Sequence, residues 1–380
     1  MTDAQRYRSA FLDWLACASR GMREPAPRAF RAAADGLAGH VTAAGCAGHV
    51  LDYDDTFAPG LVHASAPVAP LALLLAAERG LTLYAVIAAY AAGFEATAAL
   101  ARASHPALYE RGWHPTSVCG SLGAAVTAAR LLELDPERER AATGLAMLRA
   151  GGLQAAFGTH GKALQVGLAA ATGLDAARLA AAGARIAPED LAQGFETAYG
   201  ATWATAGSEP AIRDNWIKAH PCCLLTHAAI DAADELRASD RVPTGELVVR
   251  VHPTARRAAP HDDAPDGLAA KFSIPYTTAY TLLHGPPDVE SFAAPDAAAR
   301  SLAAERIRVR TDPALLETET RIEAAGEVVA AVRHARGSPQ HPMDRAALVR
   351  KIEQLAPGLS HGLDDLEAPA AGLATTAGLL

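Results

Sequence analysis

The chain has 380 residues, of which half are apolar, with alanine dominant and few aromatic residues. This length is sufficient for one large domain or two moderate ones, each with ample hydrophobic core. The net charge of −8 argues against nucleic-acid binding, because the sequence has no basic stripe that would displace the counterions of a polyanion.

The first residues lack the charged-then-apolar pattern of a signal peptide, and the apolar stretch 68–77 is about half the roughly 20 residues that span a bilayer. The chain has five cysteines, and the adjacent Cys222 and Cys223 do not have the C-x-x-C spacing of a redox or zinc pair. The sequence therefore predicts a reduced, cytoplasmic protein without nucleic-acid or membrane partners.

Residues 5–234 show helical periodicity almost throughout, with Ala and Leu recurring at three- and four-residue spacing between Gly and Pro interruptions. The stretch 83–103 is apolar nearly all round, which predicts a buried central helix. Further helices are predicted at residues 9–18, 117–132, 138–150 and 176–183.

The pattern changes near Val242, where alternating β-branched residues predict a strand over residues 246–252. Further strands are predicted at 307–310, 318–322 and 327–332, with a hairpin around 324–326, and helices at 274–283, 297–304 and 344–355. Residues after Ala368 are expected to be partly disordered. The prediction is a mainly α fold with a large all-helical domain over residues 1–234, completed by 340–380, and a smaller α+β domain over 235–339.

Three carboxylates occupy four positions at Asp52, Asp54 and Asp55, and His63 follows after a Pro-Gly turn. Mutual repulsion and partial burial raise the pKa of at least one carboxyl in such a cluster, which suits proton transfer. The alternative interpretation is a solvated, acidic end of a helix.

Imidazole or ammonium groups stand beside four apolar helix starts, at His63, His114, Lys162 and the Lys218-Ala-His220 segment. Helix starts present unpaired N–H groups and a positive dipole end, so these cations predict a receptor for carboxylates or phosphates. Each histidine alone is more often a capping or surface residue, but the repetition favours a site. Lys162 is expected at an exposed helix start.

Motifs for nucleotide binding and for known metallohydrolases are absent, since the chain has no G-x-G-x-x-G, no P-loop and no H-E-x-x-H. The segment 119–123 resembles a nucleophile elbow but carries Cys119 where that motif needs glycine. A metal ion held by Asp54, Asp55 and a histidine is an alternative, although the prediction is a site without metal.

Four blocks of the sequence resemble the MmgE/PrpD family, which includes 2-methylcitrate dehydratase, cis-aconitate decarboxylase and iminodisuccinate epimerase. The blocks are His-Val-Leu-Asp-Tyr-Asp-Asp-Thr at 49–56 with His63, Gly-Trp-His-Pro-Thr-Ser at 112–117, Lys-Ala-His-Pro-Cys-Cys at 218–223 with Thr226-His227, and Lys-Phe-Ser-Ile-Pro-Tyr at 271–276. They occur in family order, and the similarity runs from the first helix to near Pro342.

The resemblance implies a large helical domain, an α+β lid inserted before the C-terminal helix, a homodimer, and a cofactor-free site between the two domains. It implies the catalytic residues Asp52, His63, His114, Lys162, His227 and Tyr276, with Thr56, Lys218 and Lys271 binding substrate. We predict that the catalytic residues converge on one cleft. Tyr276 has the alternative role of packing the lid. The chain departs from the family pattern by abbreviated residues between Gly21 and Gly48, by Ala64 where proline is common, and by His220 where an aromatic usually precedes Pro-Cys.

The residues and the resemblance together predict a lyase that acts on a small polycarboxylate, such as a methylcitrate- or cis-aconitate-like acid. Proton transfer next to a carboxylate would lead to dehydration or decarboxylation, with an imidazole or Asp52 as the base and the cations stabilising the developing negative charge. One alternative is an isomerase, such as an epimerase of iminodisuccinate. The other is a catalytically idle family member.

Overall fold

The structure, a computed structural model, describes residues 1–205, 207, 209–239 and 242–380. These residues form two compact units: unit 1 comprises Met1–Val50, Asp54–Ile217 and Asp344–Leu380, and unit 2 comprises Leu51–Tyr53 and Lys218–Met343. The change of unit falls after Ile217, and the domain boundary after residue 234 stays a prediction.

The described part of the chain contains seventeen α-helices and six strands, so the predicted mainly α fold is confirmed. The helices are α1 (Asp3–Gly21), α2 (Pro25–Ala33), α3 (Gly36–Val50), α4 (Ser65–Glu78), α5 (Leu83–Ser104), α6 (Ala107–Glu110), α7 (Pro115–Leu131), α8 (Pro136–Met147), α9 (His160–Ala181), α10 (Pro188–Tyr199), α11 (His227–Ala238), α12 (Pro253–Ala258), α13 (Gly267–Ala270), α14 (Ile274–His284), α15 (Ala297–Arg306), α16 (Arg345–Leu355) and α17 (Ala370–Thr376). The strands are β1 (Thr56–Phe57), β2 (Asn215–Trp216), β3 (Leu247–Val251), β4 (Ile307–Thr311), β5 (Thr320–Ala324) and β6 (Glu327–Val332).

Unit 1 is a bundle in which α3, α4, α5, α7 and α9 pack closely on one another. Glycine makes the α3–α9 contact close: a Cβ on Gly167 would overlap the backbone carbonyl of Thr42, and a Cβ on Gly45 would lie 3.0 Å from the Cα of Gly167. Because the two backbones touch, the C-terminal end of α3 and the body of α9 are fixed in register.

The predicted central helix corresponds to α5, whose Tyr90 and Phe94 are fully buried and pack against Phe11 and Tyr7 of α1. By length and composition α5 is the one described helix that could cross a membrane, yet 56% of its most apolar window is buried inside the protein. This burial is the pattern of a core helix.

Two expectations for unit 1 were wrong in extent. Helix α9 runs unbroken from His160 to Ala181, whereas the sequence predicted an apolar helix over 164–170 and a separate one over 176–183. The glycines at 161, 167 and 173 weaken helix propensity but allow close packing. The stretch after Ala368, expected to be partly disordered, forms α17, which packs against α4 through buried residues such as Leu373. In both segments tertiary packing, rather than local helix propensity, stabilises the helix.

Unit 2 contains a four-stranded sheet in the order β4-β3-β5-β6, in which β3 and β4 are parallel and the other pairs antiparallel. All four predicted strands are present within two residues of the predicted bounds. The β5–β6 hairpin turns at Ala325 and Gly326, both with positive φ, as a two-residue turn of this kind requires. Helices α11, α14 and α15 pack around this sheet.

Candidate active site

Unit 1 brings together a group of buried polar side chains from five segments. His49 lies in the last turn of α3, Asp54 follows it, His63 precedes α4, His114 caps α7, and Lys162 lies in the first turn of α9. None is more than 8% exposed. The expected exposed position of Lys162 is therefore wrong, because the first turn of α9 faces inward at this residue although His160 is exposed.

Asp54 is the centre of this group because its Oδ2 lies 3.0 Å from Nδ1 of His49 and 3.1 Å from Nδ1 of His63. Burial alone would raise the pKa of Asp54, but the two imidazoles outweigh it and hold this pKa well below its usual range. Burial also lowers the pKa of His63 to about 3. His63 is thus a neutral imidazole whose Nδ1 lies beside an ionised carboxylate, which favours the tautomer with the proton on Nδ1.

The remaining members surround these three residues. The His49 ring lies 4.3 Å from the His63 ring and stacks on His114 at 5.9 Å, while Phe157 lies edge-on to His114 at 5.0 Å. The ammonium of Lys162 lies over the Phe157 ring at 5.5 Å, and its charge lowers the proton affinity of His63. The group is therefore one connected cationic and imidazole-rich cluster.

Backbone contacts fix the positions of two histidines. The backbone N–H of His63 donates to Oγ1 of Thr116 at 3.1 Å, which ties this residue to the first turn of α7. The backbone N–H of His114 donates to the carbonyl of Gly152 at 2.9 Å. The Pro115 at the first helical position then starts α7 directly after His114, as predicted from the sequence.

Asp55 is also fully buried, yet its pKa is shifted in the opposite direction from that of Asp54. Burial, with repulsion from Asp13, raises the pKa of Asp55 well above its usual range. Its Oδ2 accepts hydrogen bonds from Ser65 at 2.8 Å and Asn215 at 2.6 Å. The pKa values of two adjacent carboxyl groups are thus shifted in opposite directions by their surroundings.

Thr56 follows directly and forms the first residue of β1, paired with Trp216 of β2. Its side chain is 2% exposed, and its Oγ1 has no hydrogen-bond partner among the residues that the structure describes. A buried hydroxyl without a partner is costly, so this oxygen is available to a ligand, as the predicted substrate-binding role requires.

The donor set of His49, Asp54 and His63 has its ligand atoms within 4.8 Å of one another. Two imidazoles and one carboxylate are also a common ligand set for first-row divalent metals. The expectation of a metal-free site therefore stays a prediction.

Unit 2 holds Asp52, which the chain places two residues before Asp54. Lys218 is fully buried and donates to the Asp52 carbonyl at 2.6 Å and to its Oδ1 at 2.7 Å. Asp52 has a φ of +53°, a conformation that few residues other than glycine adopt, and it occurs preferentially at functional sites. Lys218 stabilises this backbone and carboxylate together.

The neighbouring residues are held in the same way. Lys271 is 6% exposed and donates to the carbonyl of Leu51 at 2.5 Å, and the Tyr53 hydroxyl donates to the carbonyl of Ala219 at 3.2 Å. Residues 51–53 are therefore attached to unit 2 by two buried ammonium groups. These bonds give Lys218 and Lys271 a structural role that the sequence did not reveal.

His227 is the first residue of α11 and is fully buried. Burial, together with His220 and Lys218, lowers its pKa well below the usual range, so the ring is neutral. Tyr276 is 1% exposed, and its hydroxyl accepts a hydrogen bond from the backbone N–H of Asp296 at 3.0 Å. This contact favours the packing role of Tyr276 over a catalytic one.

Sequence reasoning did not assign roles to His49 and Asp54. The signal was present in the His-Val-Leu-Asp-Tyr-Asp run, but only the fold shows that the Nδ1 atoms of His49 and His63 both lie beside the Asp54 carboxylate. A cavity of about 450 Å³ also exists in unit 1, lined by residues that include Glu95, Arg130 and Trp203, and no predicted site residue lines it.

Comparison with protein families gives matches over most of the chain. The profile of the MmgE/PrpD N-terminal domain matches residues 41–209, and that of the MmgE/PrpD C-terminal domain matches residues 220–364. The first match contains the unit 1 group, and the second contains Lys218's neighbours His220 and His227. The first profile ends at residue 209 and the second begins at residue 220, and the change of unit after Ile217 lies between them.

Similar curated proteins include three cis-aconitate decarboxylases. The protein from Homo sapiens is 32% identical over 51% of this chain and 43% of its own length, and that from Mus musculus is 30% identical over 65% and 55%. The protein from Aspergillus terreus is 29% identical over 49% of this chain and 42% of its own length. The chain thus spans about half the length of the curated relatives it matches.

Proposed function

Since the chain belongs to the MmgE/PrpD family, we propose that it is a cofactor-independent lyase that acts on a small polycarboxylate. The observation that carries this proposal is the buried cluster in which Asp54 orients His63 next to His114 and Lys162. The similarity to cis-aconitate decarboxylases favours a cis-aconitate-like acid and decarboxylation over dehydration.

Binding of the polyanion would depend on Lys162, His114 and the helix starts at which they lie. Lys162 is 8% exposed and its ammonium lies over an apolar ring, so water screens its charge little. In such a site a carboxylate gains a strong charge-assisted hydrogen bond. The unpartnered hydroxyl of Thr56 supplies a further donor for the same ligand.

Proton transfer would fall to His63. In decarboxylation, the bond to the departing carboxylate breaks, its electron pair delocalises towards the neighbouring carbonyl system, and a proton is added to carbon. A bound polyanion next to the imidazole raises the proton affinity of His63, and Asp54 stabilises the imidazolium through Nδ1–H. His63 then delivers the proton. In dehydration, the same neutral ring would first act as base.

An isomerase remains the second candidate, because epimerisation begins with the same removal of a proton next to a carboxylate. The ionised Asp54 with its neutral histidine partners serves that first step equally well. A catalytically idle family member is the third, and the abbreviated residues between Gly21 and Gly48 are the feature that favours it. In the structure this segment forms α2 and most of α3.

Incubation of the full chain with 2-methylcitrate, citrate, cis-aconitate and iminodisuccinate in deuterated water, followed by NMR, separates the three. The proposed lyase gives a dehydrated or decarboxylated product. Deuterium uptake without a new constitutional product identifies an isomerase, and the absence of both identifies an idle protein. Retention of activity in a chelator tests independence from metal.

We also propose a homodimer located in the cytoplasm, in which residues 235–339 act as a lid, on the strength of the family resemblance. Light scattering after size-exclusion chromatography tests the first part, with twice the 39.3 kDa chain mass expected. A monomeric mass would contradict it.

A further inference from the structure

His227 in unit 2 has an unusual environment for a histidine inside a protein. Its side chain is fully buried, and neither ring nitrogen has a hydrogen-bond partner among the residues that the structure describes. Buried polar groups are normally paired, so an unpaired one needs an explanation, of which a role in binding or catalysis is one. Both ring nitrogens of His227 thus lack a hydrogen-bond partner among the described residues, and a bound ligand would supply one.

A second buried histidine lies against this ring. His220 is 3% exposed, and its ring centroid is 4.9 Å from that of His227, with the two planes at 62°. The edge-to-face arrangement restricts the rotation of His227 without occupying either of its nitrogens. Because the His220 ring is itself buried, its polar nitrogens also need hydrogen-bond partners.

Asp231, one helical turn after His227 on α11, provides that explanation. Its Oδ1 lies 2.8 Å from Nε2 of His220 and accepts from Nε of Arg336 at 2.8 Å, and its Oδ2 accepts from the backbone N–H of Arg336 at 2.7 Å. Arg336 also reaches Asp234 at 3.1 Å. The carboxylate is therefore held on three sides, and it fixes the His220 ring with its N–H at Nε2.

We propose that His220, Asp231 and Arg336 are positioning residues that hold His227 in one orientation with both ring nitrogens available to the substrate. Charged Asp231 orients His220, and His220 orients His227 by contact. The substrate class is that of the proposed function, a small polycarboxylate, for which a neutral imidazole offers one N–H donor to a carboxylate oxygen and one acceptor for a proton. The kinetic part of this inference rests on the proposed function.

The test uses the full chain labelled with ¹⁵N-histidine, with the His227 ring signals assigned by their loss in His227→Gln. In the wild-type protein we expect a single, neutral set of His227 signals. His220→Phe keeps the ring but removes the bond to Asp231, and Asp231→Asn removes the charge. Both are expected to give a second or broadened set of His227 signals. Both should lower kcat on the order of 10-fold while KM changes less than about twofold.

The matched control is His284→Phe, which removes an exposed imidazole 3.5 Å from Asp296 in the same unit. It should leave the His227 signals and kcat unchanged. Should His220→Phe fail to fold, Arg336→Gln replaces it. This variant perturbs the same series of contacts at a side chain that is 40% exposed, and the same changes in the His227 signals and in kcat are expected.

Unaltered His227 signals and unaltered kcat in these variants would overturn the inference. Loss of stability with wild-type signals and kcat would also overturn it, because it would reduce the three residues to a structural role. If the wild-type protein turns over no polycarboxylate while the His227 signals respond as expected, the proposed function fails and the positioning role stands.

Discussion

The Oδ2 atom of Asp54 lies 3.1 Å from Nδ1 of His63, and both side chains are almost completely removed from solvent. The carboxylate favours the tautomer in which Nδ1 carries the proton, and in the proposed mechanism the other ring nitrogen exchanges a proton with the substrate. Because His49 contacts the same oxygen at 3.0 Å, one carboxylate orients two imidazoles. The proposed proton transfer by His63 depends on this arrangement.

Replacement Asp54→Asn should lower kcat by about 10² or more, because the amide keeps the shape but no longer stabilises an imidazolium on His63. KM should change far less, since the Asp54 carboxylate is directed at His49 and His63. The measurement is steady-state kinetics on the substrate found in the panel. Asp175→Asn is the control, because it removes a 40% exposed carboxylate paired with Arg149 at 2.7 Å. Equal kinetics in both variants would contradict the role of Asp54.

Replacement Lys162→Met should lower kcat/KM by about 10² or more, the loss expected for a charged donor in a site that excludes water. Folding should be nearly unaffected, because Met retains the length of the side chain and its contact with Phe157. Arg178→Met, at the exposed end of the same helix, should have no effect on activity. Unchanged turnover in Lys162→Met would refute the anion-binding mechanism even with the fold intact.

Replacement Lys218→Met should lower the free energy of unfolding by about 3–5 kcal/mol, because it leaves the buried Asp52 carboxylate without its ion-pair partner. The double variant Lys218→Met/Asp52→Leu should recover much of this loss. Chemical denaturation measures both. A single variant with wild-type stability but weakened substrate binding would instead support the role predicted from sequence, in which Lys218 binds substrate.

Asp55→Asn should change how stability depends on pH. The pKa of Asp55 is raised in the folded state by burial, so as pH rises above about 3.9 the unfolded chain loses this proton first. Wild-type stability therefore falls with rising pH towards the folded-state pKa, by up to about 1.4 kcal/mol per pH unit. The Asn variant lacks this contribution. Its free energy of unfolding should therefore increase relative to that of the wild type as the pH rises from 5 to 8. Asp214→Asn, at a 45% exposed ion pair, is the control, and parallel curves for wild type and Asp55→Asn would contradict the prediction.

The sequence predicted the helices and strands well where a periodic pattern is long or bounded by turn residues. The strand at Leu247–Val251 and the hairpin at Ala325-Gly326 follow from alternation and turn chemistry. Helix α3 lies within the stretch 5–234 that was predicted to be mostly helical, but its bounds were not predicted because its glycines, including Gly45, lower helix propensity. Only the contact with Gly167 of α9 shows why they are needed.

The candidate residues were predicted by type and motif, but their partners were not. Sequence reasoning expected a carboxyl with a perturbed pKa near residue 52. The fold shifts the pKa values of Asp54 and Asp55 in opposite directions, because Asp54 faces two imidazoles whereas Asp55 is buried near Asp13. Such differences depend on contacts between distant segments. The prediction that residues of both units meet one substrate stays a prediction.

The most direct test of the central claim is a time course of cis-aconitate with the full-length wild-type protein in the presence of a chelator, followed by ¹H NMR. We expect loss of cis-aconitate with release of carbon dioxide or addition of water across its double bond, and a rate at least about 10² lower in Lys162→Met. Unchanged cis-aconitate at stoichiometric protein, with no turnover of 2-methylcitrate under the same conditions, would contradict the assignment as a cofactor-independent polycarboxylate lyase.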